Sequence, residues 1–195
     1  SRIKSGSVNI EKVEKEEIAD LFLRGKIDFL FQKYVENQQI DALILCIPPD
    51  PMNVIGLPQL ISEWVQLNTA TDGPIPPSLY FILSKFDVHL PDKPGRSDDD
   101  SVRFSNSLDT ALLQPFGLSK KSWIFNWNGK RFKNVFPVRN PNFPIEGFFE
   151  YESGQEVSVV KSKLERLNQL REGFTKSEVI INHVSDSDKK WSSLI

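Results

Sequence analysis

The segment LYFILSKFD, residues 79–87, carries the clearest information about the fold. Its first five residues form an unbroken apolar run, which is typical of a strand buried on both faces in a parallel sheet. The run ends in Ser84–Asp87, where three of the four side chains are polar. Ligands of parallel α/β sheets bind beyond the carboxyl ends of the strands, so this segment is also a candidate site.

Two further strands are predicted on either side of this stretch. The apolar run at 42–47 predicts a strand at about 41–47 that is buried on both faces, and it holds the lone Cys46 as a small buried side chain. Residues 132–138 predict the other strand, although Pro137 weakens the pattern. The chain therefore supplies at least three strands to the predicted sheet.

Helices are predicted between the strands. Apolar residues at helical spacing predict helices at about 26–37 and from 57 to at least 64, and 102–113 is predicted as a third helix. After the last strand, Ser153 and Glu156 have capping-box spacing, and an apolar stripe predicts a long helix that ends near Gly173. This stripe consists of Val157, Val160, Leu164 and Leu167.

The alternation of strands and helices predicts the fold class. It is typical of an α/β domain with a mostly parallel sheet and helices on both faces, in which the three strands are neighbours that point the same way. The carboxyl ends of such strands gather at one edge of the sheet. We therefore expect Asp87 at that edge, partly exposed, with Arg139 and Asn140 from the exit of the next strand close by.

The segment Ser84–Asp87 resembles the Asn/Thr-Lys-x-Asp motif that ends a hydrophobic strand in GTPases. One carboxylate can accept both donors on the edge of guanine, and the resemblance gives this role to Asp87. The methylenes of Lys85 would lie along the face of the base. Ser84 departs from the motif because it keeps a hydroxyl but lacks the Asn amide, a change that bears on affinity and base selectivity.

The exit of the last strand, residues 139–141, leaves two interpretations open. In the GTPase layout this exit lines the base, so Arg139 and Asn140 join the residues of 84–87 as candidates for base binding. The other interpretation is a plain turn, in which Arg139 pairs with a nearby carboxylate.

The chain lacks the parts that GTP hydrolysis requires. No segment has the P-loop pattern Gly-x-x-x-x-Gly-Lys-Ser/Thr, and no Asp-x-x-Gly follows an early strand. We therefore assign no catalytic residue and expect no turnover by this chain alone. GTP or GDP is expected only in the intact protein, with Mg²⁺ held by the missing half, so the predicted fold is GTPase-like without its P-loop half.

Five segments together resemble a bacterial virulence-factor family of the Srf type: 23–34, 45–48 with Trp64, 84–87, 132–141 and 183–191. Members of that family are large proteins whose N-terminal region looks like a GTPase domain. The resemblance implies that residues 1–175 are part of such a domain and that 176–195 begin a following, truncated segment. It also implies a bacterial protein that is cytoplasmic or secreted as an effector.

Composition argues against several other classes of function. The 24 basic residues are spread along a chain of net charge −2, which argues against nucleic-acid binding. Two histidines and one cysteine give too few ligands for a zinc site, and no apolar run approaches the ~20 residues of a membrane span. The aromatic-rich part from 123 to 149 favours core packing or a docking patch over a sugar or base platform.

Two hypotheses of function remain. The first is the base-binding half of a GTPase-like, nucleotide-binding module in a larger bacterial protein. The second is a protein-interaction or effector domain that keeps the GTPase-like fold and binds no nucleotide. The partners expected in either case are the remainder of its own polypeptide and other virulence-associated proteins.

Overall fold

The computed structural model describes residues 15–37, 40, 42–48, 56–69, 78–91, 100–117 and 122–195. Its helices and strands in chain order are α1 (Lys15–Glu36), β1 (Ala42–Ile47), α2 (Leu57–Thr69), β2 (Ser78–Leu83), α3 (Asp100–Phe116), β3 (Val135–Pro137), β4 (Phe149–Glu152), β5 (Gln155–Val159), α4 (Leu164–Lys176), α5 (Glu178–His183) and α6 (Ser187–Leu194). Short 3-10 helices lie at Phe86–His89 and Lys161–Lys163.

The described residues divide into two compact units. The first unit contains those up to residue 43 and those from 56 to 78, and therefore holds α1 and α2. The second unit contains residues 44–48 and everything described from 79 onward. The five predicted site residues all belong to the second unit. The predicted boundary between 175 and 176 stays a prediction.

The predicted parallel sheet is confirmed. Its strand order is β1-β2-β3, and all three strands run parallel. In the register of β2 and β3, Phe81 lies opposite Val135 and Leu83 lies opposite Pro137. Parallel strands require crossover connections, which the alternation of apolar strand runs and helices along the chain anticipates.

One face of the sheet is well buried. Leu79, Phe81 and Leu83 alternate along β2, point to the same face and are almost fully buried.

The prediction that β1 is buried on both faces is wrong, and so is the prediction that Cys46 is buried. Every second residue of β1 is exposed, including Ile44 and Cys46, because alternate side chains point to opposite faces and one face of β1 is left open to solvent.

Helices α3 and α4 form the main packed pair of the second unit. Phe104, Leu108 and Leu112 lie on one buried stripe of α3. Gly173 of α4 approaches the backbone of α3 so closely that an added Cβ would lie 2.3 Å from the carbonyl oxygen of Ser101. The prediction that the helix ends near Gly173 is therefore wrong. Gly173 lies inside α4 and permits close contact between two helices.

The prediction of a helix starting near Ser153 is wrong. Residues Phe149–Glu152 and Gln155–Val159 form an antiparallel hairpin, and helix α4 begins only at Leu164. Ser153 and Gly154 connect the two strands with φ angles of 52° and 81°. Two successive left-handed residues are the signature of a type I′ hairpin turn, which excludes a helix at this point.

The aromatic-rich part of the chain packs largely into the core. Trp123, Phe132, Phe148 and Phe149 are buried. The rings of Trp123 and Phe132 meet edge to face with centroids 4.9 Å apart. This confirms core packing for these four residues, whereas Phe143 is exposed.

Candidate functional site

The candidate site forms where the chain leaves β2 and β3. The N–H of Val138 donates to the carbonyl of Leu83 at 2.9 Å, and the N–H of Phe86 donates to the carbonyl of Val138 at 3.1 Å. Backbone pairing therefore continues past the ends of both strands. It brings the residues after Leu83 alongside those after Val138, as the parallel sheet predicts.

On its other side, the exit of β2 is tied to β1. The N–H of Ser84 donates to the carbonyl of Ile47 at 2.9 Å, and Ser84 is half-buried. Ser84 thus connects neighbouring strands through its backbone.

Lys85 turns the chain out of the strand. Its φ of 59° and ψ of 41° are left-handed, and the 3-10 helix Phe86–His89 begins immediately after it. This conformation turns the Phe86 ring into the core, where it packs against Phe104, Phe174 and Trp191 with centroid separations of 5.4 to 6.3 Å. Lys85 itself is exposed. The motif therefore places its aromatic residue inside and its lysine outside.

Asp87 lies against the exit of β3. Its Oδ2 accepts a hydrogen bond from the N–H of Asn140 at 3.2 Å. Its Oδ1 is buried and has no hydrogen-bond partner among the described residues. The proximity to Arg139 and Asn140 is as predicted, but the expected partial exposure is wrong, because Asp87 is only 8% exposed. The 3-10 helix turns the carboxylate toward the β3 exit, whose backbone N–H needs an acceptor there.

Asn140 occupies a turn. Its side-chain Oδ1 accepts from the N–H of Asn142 at 3.1 Å, and its carbonyl accepts from the N–H of Phe143 at 3.0 Å. The side chain stabilises the local turn while the backbone N–H binds Asp87. The turn interpretation of residues 139–141 therefore describes Asn140 correctly.

Arg139 is held by contacts within the chain. Its guanidinium makes a bidentate pair with Glu156 of β5, at 2.8 Å for Nη1 and Oε1, and its Nε donates to the carbonyl of Leu194 in α6. It also lies over the ring of Phe149, 4.9 Å from the centroid. Of the two interpretations of Arg139, contact with a base and pairing with a nearby carboxylate, the pairing is the one observed.

The charge state of Arg139 reflects these contacts. The hydrogen bond to Glu156 is the main influence that raises the pKa of Arg139, while burial opposes it. The charges of Glu156 and Asp87 raise the pKa further. Arg139 thus joins the exit of β3 to β5 and α6.

Sequence reasoning missed Arg166, which holds the far end of the 3-10 helix. Its guanidinium donates to the carbonyls of His89, Leu90 and Pro91 at 2.7 to 2.9 Å and pairs with Asp100. The signal for it was present: Arg166 stands four and eight residues before Leu170 and Phe174 on the buried stripe of α4. An arginine on a buried stripe needs buried acceptors.

The part of the chain that the structure describes holds neither a metal-binding cluster nor a membrane-spanning helix. Among them, no group of three or more His, Cys, Asp or Glu side chains is arranged to hold a metal ion. None of the helices that the structure describes has the length and apolar character needed to cross a membrane.

Comparison with known proteins identifies the family. The family model described as "Putative bacterial virulence factor" matches residues 1–195. The chain belongs to this family. Membership confirms the virulence-factor part of the resemblance, whereas the GTPase-like part is not tested by it. No curated protein and no solved structure matches the chain.

Proposed function

We propose that this virulence-factor chain is the base-binding half of a nucleotide-binding, GTPase-like module. The observation that supports the proposal most is the Asp87 carboxylate, which stands where two parallel strands end and has one oxygen without a described partner. Exits of neighbouring parallel strands are where ligands of such sheets bind.

The chemistry of Asp87 fits a guanine edge. An ionised carboxylate has about four lone-pair sites, and the Asn140 N–H takes one of those on Oδ2. The free sites on both oxygens can accept the ring N–H and the exocyclic amine of guanine. Leaving a buried acceptor unpaired costs about 1–3 kcal/mol, so a donor from a ligand would recover that energy.

The other predicted residues fit the base unequally. Lys85 is exposed next to Asp87, so its apolar stem is free to cover a base. Arg139 fits poorly, because three of its five N–H donors are taken by Glu156 and Leu194. We therefore assign base contact to Asp87 and Lys85, a supporting role to Ser84 and Asn140, and the alignment of α6 and β5 to Arg139.

Binding requires a local opening, because Asp87 is 8% exposed. The 3-10 helix that carries Asp87 is anchored by Phe86 at one end and by Arg166 on its last carbonyls. The turn after β3 is exposed. We therefore place the opening at residues 139–142. Their movement would free the Asn140 N–H from Asp87, so that this N–H could donate to the base.

GTP or GDP would take its phosphate and Mg²⁺ contacts from residues outside this chain. The sequence has no phosphate-binding loop, and we assign no catalytic residue within it. The purified chain should not hydrolyse GTP. GTP hydrolysis that co-purifies with the chain and is lost in Asp87→Ala would contradict the proposal that the phosphate contacts and catalytic residues lie outside this chain.

Base preference provides the test. We expect the intact protein to bind GDP more tightly than ADP or XDP by calorimetry. Asp87→Asn should shift this preference toward XDP, because an amide can donate to the carbonyl that replaces the guanine amine. Equal affinities for the three nucleotides in wild type and variant would rule out base recognition by Asp87.

A second candidate function is a protein-interaction or effector domain that binds no nucleotide. The burial of Asp87 and the commitment of Arg139 to internal partners favour it, because both close the edge of the sheet. In that case Asp87→Ala would change stability alone. For either function we propose the remainder of the polypeptide and other virulence-associated proteins as partners, and a cytoplasmic or secreted location in a bacterium.

A further inference from the structure

The first unit carries a groove that the nucleotide proposal does not use. It lies between α1 and α2 and has a volume of about 550 Å³. Phe31 and Val35 of α1 line one side, and Leu60 and Leu67 of α2 line the other. A volume of a few hundred Å³ with an apolar lining is typical of a binding site.

The apolar lining on α2 is the margin of that helix's apolar stripe. The large apolar side chains Ile61, Trp64 and Val65 of the stripe are buried. Leu60 and Leu67 are seven residues apart and share one side of the helix with Trp64, toward the groove. Leu67 is 44% exposed. The stripe therefore extends from the buried side of α2 to a side chain that a partner can contact.

The rim of the groove is acidic. Glu36 of α1 and Glu63 of α2 line it, and both are exposed. Gln59 donates to Oε1 of Glu63 at 2.9 Å and so helps to hold that carboxylate in place. The two remaining lining residues are glutamines, and no described residue of the lining carries a positive charge. A cationic partner is therefore favoured.

The dimensions indicate the form of the partner. Leu60 and Leu67 lie about 10 Å apart along the axis of α2, which is two helical turns. A groove of this length receives apolar side chains at positions i, i+3 or i+4, and i+7 of a partner helix.

We propose that this groove binds a short amphipathic helix of a partner protein, whose apolar stripe is flanked by lysine or arginine. The apolar side chains enter between Phe31 and Leu67, and the basic side chains pair with Glu36 and Glu63. The charge of the rim selects this occupant over an acidic or neutral helix. The site lies in the first unit and does not depend on nucleotide binding by the second.

Three synthetic peptides of about 15 residues, long enough for marginal helicity, test the proposal. The first has leucine at i, i+3 and i+7 with lysine on its flanks; the second has glutamate in place of lysine; the third has serine in place of leucine. Fluorescence anisotropy measures binding of each to the 195-residue chain. The Leu/Lys peptide should bind about tenfold more tightly than either other peptide, as expected from two surface charge pairs and the buried leucines.

Variants of the groove make the test specific. Glu36→Lys with Glu63→Lys should reverse the order of the Leu/Lys and Leu/Glu peptides, and Leu67→Ser should weaken both. Glu152→Lys with Glu165→Lys is the matched control, because both residues are exposed and lie in the second unit. It should leave the order unchanged.

Three results would overturn the proposal. The first is equal binding of the Leu/Lys and Ser/Lys peptides, which would show that the apolar lining is not used. The second is an equal loss of affinity for the Leu/Lys peptide in the groove and control variants, which would show that the peptide is attracted by the overall charge of the chain alone. The third is dimerisation of the chain, seen by sedimentation, that blocks the Leu/Lys peptide, which would make a second copy the occupant.

Discussion

The backbone N–H of Asn140 donates to Oδ2 of Asp87 at 3.2 Å, across 53 residues of sequence. This bond joins the exits of β2 and β3 beyond the last pair of strand residues. It explains why Asp87 is buried although it follows a strand end. It also means that a ligand reaching Asp87 must compete with a backbone donor or share the carboxylate with it.

The pair Arg139–Glu156 should be strongly coupled. Its side chains are 8% and 13% exposed, and the pairing is bidentate. Breaking a buried pair of this kind costs about 3 kcal/mol per single substitution, because the remaining charge stays buried. In a double-mutant cycle with alanine, measured by urea unfolding, the double variant should therefore lose much less than the sum of the single losses.

The control for this cycle is the pair Arg131–Glu178, which is 43% and 51% exposed with 3.4 Å between its charged atoms. Its coupling should stay below about 1 kcal/mol, as is usual for surface pairs. Coupling energies of similar size in the two pairs would contradict the structural role of Arg139.

Gly173→Ala should destabilise the protein by about 1–3 kcal/mol, the usual cost of overpacking. The new Cβ would meet the backbone oxygen of Ser101 at 2.3 Å, and a backbone atom cannot rotate away. Gly25→Ala is the matched control, because it is also helical and has no atom within 4 Å of the added Cβ. It should stabilise α1 by about 0.5–1 kcal/mol. Equal effects in chemical denaturation would refute the close contact of α3 and α4.

His183 should make stability depend on pH. It is fully buried, and its Nδ1 lies 2.6 Å from the carbonyl of Phe132, so Nδ1 carries the proton and donates. Burial is the main reason that its pKa is lowered from the ordinary 6.5, with the bond to Phe132 opposing it. Nε2 is buried without a hydrogen-bond partner among the described residues.

The direction in which pH changes the free energy of unfolding depends on whether the folded or the unfolded chain binds the proton at the higher pH. Well above pH 6.5 His183 is neutral in both states and has no effect on the pH dependence. As the pH falls from 6.5 toward the lowered folded pKa, the unfolded chain binds the proton first, so the free energy of unfolding decreases. His183→Gln should show a smaller decrease over this window in urea titrations. Identical slopes would mean that His183 does not titrate as described.

The hairpin of β4 and β5 should gain stability from Ser153→Asn. Ser153 has a φ of 52°, and asparagine tolerates left-handed backbone better than serine. We expect a gain of about 0.5–1 kcal/mol, part of the left-handed penalty. Gly154→Ala, at a φ of 81°, should lose about 1 kcal/mol or more. Thermal unfolding that moves in the same direction for both variants would contradict the turn type.

The order of the sheet could be predicted from the sequence, because its information is local. The runs that became β1 and β2 are unbroken and apolar, and helices separate them. The parallel direction then follows from the helical crossovers, and adjacency follows from the tendency of consecutive strands to be neighbours. The site edge was predictable for the same reason, since Ser84–Asp87 and residues 139–140 follow neighbouring strands.

The hairpin at 149–159 was missed because two periodicities compete in the same residues. Val157, Val160 and Leu164 match a helical stripe, yet Ser153-Gly154 adopts a turn that only left-handed backbone permits. Spacing alone does not reveal the sign of φ. The sequence feature that indicates the turn is the Ser-Gly pair between residues of strand propensity.

The details of the site were not predictable, because they depend on contacts between residues far apart in sequence. Arg139 pairs with Glu156, and Arg166 binds the carbonyl of Leu90, 76 residues away. The burial of Asp87 depends on the turn after β3. No local pattern encodes such pairings, so the sequence gives the residue types at the edge but not their partners.

A calorimetric titration of the intact protein with GDP tests the proposed base site at Asp87. It should compare wild type, Asp87→Ala and Asp188→Ala, which removes one exposed negative charge elsewhere. We predict that Asp87→Ala weakens binding by about 1.5–3 kcal/mol, the range for hydrogen bonds to a charged group, while Asp188→Ala does not. Equal GDP affinity in all three proteins, or no binding by folded wild type, would contradict a base site at Asp87.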